Sequence, residues 1–466
     1  LAQKILPVEK QQKILLDISG ITHSGEGVGR YEGLALFVPG AVPGDTVRVQ
    51  VTDLKKSYAA ARLLEIVSPS RIRKEPRCPL FSSCGGCRLQ HVDYREQLML
   101  KTGLVRDSLS RIAGLASVTV RETAGMEDPW HYRNKAHFQV KESSAGIDLG
   151  FYEEGSHILA PFGDGGGSNW GCLLVDRDLN RAASVIKSLL NGCGGSPDNQ
   201  TARFFRHVVL RKGFSTGEIM AAIVTGGGLW PGEECFAKEL TSAVPRITSL
   251  IRNINEGPPG PVLGSESRLL AGREYITDRL EDLTFIISPS SFYQVNPAQT
   301  RVLYQKALEF SGLLEGGAQT VVDAYSGIGT VALFIAAHAH RVLALEIVRG
   351  AVEDARRNAM INNVRNIEFH TGEVEKILPA MAAGGLRPDA VLLDPPRKGA
   401  RPEVLEAVSA MGPARVVYIS CDPGTMSRDL GLLAAKGYRV EEVQPVDMFP
   451  WTHHVETVVL MSRKDK

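Results

Sequence analysis

The sequence predicts a multidomain protein: a small N-terminal β-barrel, a mixed α/β middle and a C-terminal doubly wound α/β domain. Three observations carry that prediction. Short apolar runs broken by glycine and proline open the chain, a group of cysteines follows them, and beyond Phe292 apolar strands alternate with helical stretches. The chain has 466 residues, of which 43% are hydrophobic and 23% charged. At about 150 residues per domain that length suits roughly three domains. Such a composition excludes a disordered tail protein and a small disulfide-stapled scaffold. No apolar run approaches the roughly 20 residues a membrane span needs. Leu1 to Lys13 lack the apolar core of a signal peptide, so the expectation is a cytoplasmic monomer without membrane association.

The strand candidates of the first region are Ile14 to Ile18, Ala35 to Val38, Thr46 to Val51 and Ala60 to Val67. Gly25, Gly27, Gly29, Gly40 and Pro43-Gly44 are expected to supply the turns. Four or five strands at this spacing predict a barrel of the oligonucleotide-binding (OB) type over residues 8–68. The middle region, residues 69–290, begins with the cysteines. Tyr94 to Ile112 then reads as a helix with Leu98, Val105, Leu109 and Ile112 on one face. Further on come strand candidates Lys135 to Val140 and Val208 to Arg211. Helix candidates are Arg181 to Leu190 and Gly232 to Ser242, and Gly163 to Gly167 reads as a loop. In residues 291–466 Asn296 can cap a helix begun by Pro297. The apolar strands are Thr320 to Ala324, Arg341 to Leu345, Ala390 to Leu393, Arg415 to Ile419 and Val455 to Met461.

Net charge is +1, but basic residues gather locally. Lys55, Lys56 and Arg62 lie in the barrel region. Tyr132 to Lys135 and Arg203 to Lys212 mix cations with aromatics. Such mixtures can neutralise phosphates and stack on bases, so all three are candidate nucleic-acid surfaces, although charge alone favours ordinary solvated faces.

Ligands of doubly wound sheets bind at the carboxyl ends of the strands. There the first strand runs into Asp323-Ala-Tyr325-Ser-Gly327-Ile-Gly329-Thr330, and the second ends at Glu346, whose carboxylate can accept from both hydroxyls of a ribose. Taken narrowly, Gly327-x-Gly329-x-x-Ala332 followed by an acid also fits a dinucleotide fingerprint, so a NAD-dependent oxidoreductase is the rival reading. The next strands end in Asp394-Pro-Pro-Arg397 and Ser420-Cys421-Asp-Pro. Taken alone, a cysteine leaving a strand is more often a buried structural residue.

In combination these motifs resemble the RNA uracil-C5 methyltransferases, which make 5-methyluridine. The matching residues are Ser291-Phe-Tyr-Gln294-Val-Asn296-Pro297, Asp323-x-Tyr-Ser-Gly-x-Gly, Asp394-Pro-Pro-Arg-x-Gly399, Ser420-Cys421-Asp-Pro and Asp447-Met-Phe-Pro-x-Thr-x-His454-Val-Glu456. The front barrel resembles a TRAM domain, and the C-terminal part a Rossmann-like class I methyltransferase. The resemblance implies S-adenosylmethionine as methyl donor, with Gln294, Tyr325, Gly327, Gly329, Glu346 and Asp394 around it. Thr330, where the family often has Asn, and Glu373 are weaker contacts. It implies Cys421 as the nucleophile that adds to C6 of uracil and Glu456 as the base that later takes the C5 proton. Asp394 would orient polar groups, and Arg397 could offset charge on the uracil oxygen. Cys78, Cys84 and Cys87 have soft-ligand spacing. By resemblance to the ribosomal RNA enzymes they hold a [4Fe-4S] cluster with Cys172; Cys193 is the weaker fourth ligand and zinc the alternative metal. The implied partner is bacterial 23S ribosomal RNA. The tRNA branch of the same chemistry, taken by resemblance to lack barrel and cluster, is the alternative substrate class, and a non-catalytic RNA binder the third reading.

Overall fold

A computed structural model describes residues 6–143, 146–162, 171–192, 204–257, 260–316 and 319–464. The Gly163 to Gly167 loop, Cys193 and Arg203 lie outside the described residues.

Strands Lys13–Ile21, Gly27–Tyr31, Leu34–Val38, Tyr58–Ser68 and Thr46–Leu54 close, in that order, into a barrel. Alternation dictates its inside: Ile14, Leu16 and Ile18 face Leu36, Val38, Val47, Val49 and Val51 across a dry core. Gly27 and Gly29, expected in turns, lie instead within a strand. A Cβ at Gly29 would sit 2.5 Å from the Asp17 carbonyl oxygen, and one at Gly27 2.7 Å from that of Ala41. These glycines serve close backbone approach rather than chain reversal.

The middle region carries a seven-stranded sheet ordered Glu266–Gly272, Ile247–Ile254, Ile219–Thr225, Phe205–Lys212, Lys135–Ser143, Gly146–Tyr152 and Leu159–Pro161. Helices Arg177–Gly192 and Glu233–Ala243 cover it, packing Leu179, Ile186 and Phe236 on Phe138 and Val208. The first helix starts a turn earlier than its apolar pattern suggests. The Asp176 carboxylate accepts from the Asp178 N–H at 2.9 Å and the Leu179 N–H at 3.4 Å, capping the end.

The last region is built on an eight-stranded sheet ordered Ile367–Thr371, Arg341–Glu346, Thr320–Ala324, Ala390–Leu393, Arg415–Ser420, Glu456–Arg463, Tyr438–Val446 and Thr119–Val120. The first five run parallel. Strand order reverses around Thr320–Ala324, which opens the ligand crevice beside its carboxyl end. Helix Tyr94–Ala113 lies against helix Pro423–Ala435, with Val105 and Leu109 in one core with Met426 and Leu430. Ile112, expected on the buried face, is 54% exposed in the last turn before the left-handed Gly114. Among the described residues no helix is long and apolar enough to cross a membrane.

Candidate active site

The switch point is shaped by backbone first. After Ala324 the chain turns through left-handed conformations at Tyr325 (φ 68°), Gly327 (φ 56°) and Gly329 (φ 79°). Two of these suit glycine, whereas Tyr325 is a strained non-glycine position of the kind that gathers at binding sites. Glu346 then ties two strand ends together. One carboxylate oxygen accepts from the Gly327 N–H at 2.9 Å and the other from the Val348 N–H at 2.7 Å. Each oxygen keeps a lone pair for a further donor. The Tyr325 hydroxyl donates to Glu375 at 3.2 Å, and Thr330 shares a 2.9 Å hydrogen bond with Tyr304. Glu373 pairs instead with Lys376 at 2.7 Å.

Carboxyl groups crowd the next strand ends. Burial first, and then neighbouring Asp394 and Glu346, push Asp323 up to about 8. Burial pushes Asp394 up to about 6. Burial and then Asp394 push Glu456 up to about 8, against the pull of the Arg397 guanidinium. Tyr304, which no motif singled out, is buried among these three acids. A cluster of acids at the strand ends favours a cationic ligand, as a sulfonium with an amino-acid tail is. It disfavours the pyrophosphate dianion of a dinucleotide.

Cys421 stands between strand Arg415–Ser420 and helix Pro423–Ala435. Asp422 caps that helix, accepting from the Thr425 N–H at 2.8 Å, while the Thr425 hydroxyl donates to the Arg397 carbonyl at 3.1 Å. The cap therefore holds the cysteine loop against the Asp394–Arg397 loop. Burial pushes the Cys421 thiol up to about 11, and Glu456 adds to the shift while Arg397 opposes it. The thiol, both carboxyls and the guanidinium are thus electrostatic neighbours at the strand ends. Arg397 is also hydrogen-bonded to the His454 ring at 3.2 Å.

A TRAM domain model matches residues 7–64 and a tRNA (uracil-5-)-methyltransferase model matches residues 264–464. An uncharacterized RNA methyltransferase of Halalkalibacterium halodurans is 42% identical over 98% of this chain and 99% of its own. One from Caldanaerobacter subterraneus is 42% identical over 97% of this chain and 98% of its own. The chain belongs to the RNA uracil-C5 methyltransferase family. The crystal structure of a Pyrococcus abyssi tRNA (uracil-54, C5)-methyltransferase with S-adenosyl-L-homocysteine is also similar. Its TM-score is 0.74 at 27% identity, covering 96% of this chain and 100% of that one.

As an S-adenosylmethionine-dependent family member, the chain places its expected residues unevenly. Gln294 is buried, and its carbonyl accepts from the Asn134 amide at 3.0 Å. The Tyr132 to Lys135 and Arg203 to Lys212 segments, expected on an RNA surface, are largely interior where described. Tyr132, Asn134, Phe204, Phe205 and Arg211 are buried. Arg211 donates to the carbonyls of Ser288 and Ser291, and Lys212 pairs with Asp176 and Asp178. These cations satisfy carbonyls and carboxylates that would otherwise be orphaned indoors, and so cannot reach phosphates. Lys55 is exposed and paired with Asp53.

Cys78, Cys84, Cys87 and Cys172 line one cavity of about 690 Å³ together with Arg133. Burial pushes Cys87 up to about 12 and Cys172 up to about 11. Among the described residues no three His, Cys, Asp or Glu side chains converge as one metal ion would require. The sequence reading also missed Lys101. It lies three residues after Leu98 and four before Val105, inside the apolar stripe, which is the signal that it would be buried.

Proposed function

We propose that this chain methylates C5 of a uridine in structured RNA through a transient bond between Cys421 sulfur and C6 of the base. The observation that supports this most is the gathering of Cys421, Glu456, Asp394 and Arg397 as mutual electrostatic neighbours at the strand ends. Uracil C5 is too weak a nucleophile to attack a methyl group unaided. Cys421 loses its S–H proton to solvent and adds to C6 as the thiolate, which loads electron density onto C5, while the Arg397 guanidinium offsets charge growing on the uracil oxygen. S-adenosylmethionine, when bound, supplies the electrophilic methyl. Asp394 and Gln294 orient polar edges of base and cofactor, and Tyr325, Gly327, Gly329 and Glu346 line the adenosine side. Glu456 then takes the C5 proton, and the Cys421 sulfur leaves as C5–C6 becomes a double bond again. A folded RNA must extrude its base to reach this pocket, at a cost of a few kcal/mol.

In this reading the barrel of residues 8–68 holds RNA, residues 69–290 carry the cysteines and residues 291–466 carry the chemistry. Cys78, Cys84, Cys87 and Cys172 would hold a [4Fe-4S] cluster. Thiols spread around a cavity suit a multi-atom group better than zinc, which needs four ligands about 2.0–2.3 Å from one point. When bound, the cluster would cross-link the chain structurally, since methyl transfer moves no net electrons. Iron, sulfide and zinc content of protein purified without oxygen decides between the two metals.

The substrate we assign is 23S ribosomal RNA, on the resemblance of the Cys78, Cys84, Cys87 pattern to that of the ribosomal RNA enzymes. The barrel cannot select it, because the similar archaeal structure, of an enzyme named for tRNA, matches almost the whole chain. Nucleotide-resolution mapping of 5-methyluridine, with and without this protein, should show one or more 23S positions lost on deletion. Loss in tRNA alone rejects the ribosomal assignment, and loss in neither rejects the activity.

A further inference from the structure

Glu456 begins the strand that follows the strap Asp447–Val455, and that strap is gripped almost entirely from outside its own sheet. Its first residue is pinned by a wholly buried ion pair. Lys101 Nζ lies 2.5 Å from Asp447 Oδ1, with both side chains 0% exposed. Lys101 also donates to the Phe449 carbonyl at 3.2 Å. The Tyr94 hydroxyl donates to Asp447 Oδ2 at 2.7 Å and accepts from the Met126 N–H at 2.9 Å. Further along, the Trp451 carbonyl accepts from the Arg88 and Leu89 N–H groups at 3.1 and 3.0 Å. Trp451 itself is held at φ 68°, with its indole N–H on the Pro129 carbonyl at 2.9 Å.

An ion pair buried this deeply is a poor source of stability, because desolvation offsets its attraction. At position 101 an apolar residue would pack on the stripe of Leu98 and Val105 with no such cost. What an ammonium provides, and a methyl cannot, is direction: it reaches both a carboxylate and a carbonyl of one strap and so fixes that strap's register.

We propose that Lys101 is a positioning residue for proton removal, acting from helix Tyr94–Ala113 through Asp447 to hold the strap that aims the Glu456 carboxylate at C5. The inference rests on reading Glu456 as the base. Lys101 touches neither substrate nor cofactor in this scheme; it decides where the base stands.

Four full-length proteins test this: the parent, Lys101→Met, Lys101→Met/Asp447→Leu, and Glu456→Gln. Each is assayed for kcat and KM with RNA, donor binding, melting temperature and the detergent-stable protein–RNA adduct that persists when the C5 proton is not removed. The expected result is a fall in kcat of about tenfold or more for Lys101→Met, with adduct accumulating, KM little changed and donor binding retained. The double variant, which removes the pair without leaving a bare buried charge, should fold with near-parental melting temperature and still turn over slowly. A purely structural pair predicts the opposite, with turnover restored once stability is. Parental kcat in the double variant therefore overturns the proposal, and it applies equally should Lys101→Met alone fail to fold. If Glu456→Gln turns over freely without adduct, the assignment of the base has failed; if it traps adduct while the double variant does not, the inference about Lys101 has.

Discussion

Two thiol-bearing interiors lie in this chain, one at the strand ends and one among the cysteines of the middle region. Burial raises the thiols in both. In the first, Cys421 meets two carboxyls of raised affinity for protons and one opposing guanidinium, so every group has a neighbour that can exchange charge with it. In the second, Cys78, Cys84, Cys87 and Cys172 surround open volume, with no convergence on one point among the described residues. The difference separates groups arranged to trade protons with each other from groups arranged around something else. Burial raises both sets of thiols alike, so the proposed role of Cys421 rests on its charged neighbours and not on its burial.

The comparison breaks most visibly if the two interiors respond alike to loss of sulfur. Cys421→Ala should lower methylation by at least about a thousandfold while leaving melting temperature close to parental. Cys87→Ser should act the other way, with metal content and melting temperature falling and donor binding intact. Equal losses of stability in both would erase the distinction drawn here.

Next in size is the base. Glu456→Gln should reduce turnover by roughly 10²–10⁴-fold and trap the protein–RNA adduct. Because the carboxylate is the form that accepts a proton and the thiolate the form that adds to C6, parental turnover should rise with pH through about 8, where Glu456 ionises, and go on rising less steeply toward about 11, where the Cys421 thiol does. A rate that falls over that range assigns the proton transfer elsewhere.

The smallest effect is on stability, and its sign is specific. Burial holds Glu456 at about 8 in the folded protein against an ordinary value of 4.5, so between those values the folded state keeps a proton the unfolded chain has lost. Stability from this group is complete below pH 4.5 and is lost as pH rises through about 8. Glu456→Gln, neutral at every pH, should therefore be more stable than the parent at pH 8, by a few kcal/mol at most, and little different at pH 4.5. Equal melting temperatures at both pH values would mean that the carboxylate is better solvated than its burial implies.

Much of this was legible in order along the chain. Asn296-Pro297 announces a helix, and the Pro297–Ser311 helix is capped there by Asn296. Four of the five parallel strands stand where continuous apolar runs place them, because strands covered on both faces cannot alternate; the fifth, Ile367–Thr371, is a half-buried edge strand that no apolar run marked, and the predicted strand Val455 to Met461 pairs antiparallel instead. The middle sheet was less legible. Ile219–Thr225 and Ile247–Ile254 escaped notice, since alanine-rich and serine-interrupted runs carry weak strand propensity and gain their pairing from distant neighbours. Basic segments misled for a related reason. Arg211 and Asn134 look like surface residues by type, yet the carbonyls that they satisfy lie far along the chain.

By itself, the sequence determined which atoms are available for chemistry and on which strand ends they stand, because hydrophobic period and turn residues are local properties. The tertiary structure decided how tightly those atoms hold protons, which cations face inward, and that a lysine of the Tyr94–Ala113 helix grips the strap before Glu456. Those outcomes depend on desolvation and on partners hundreds of residues away, and no window of neighbouring residues contains either.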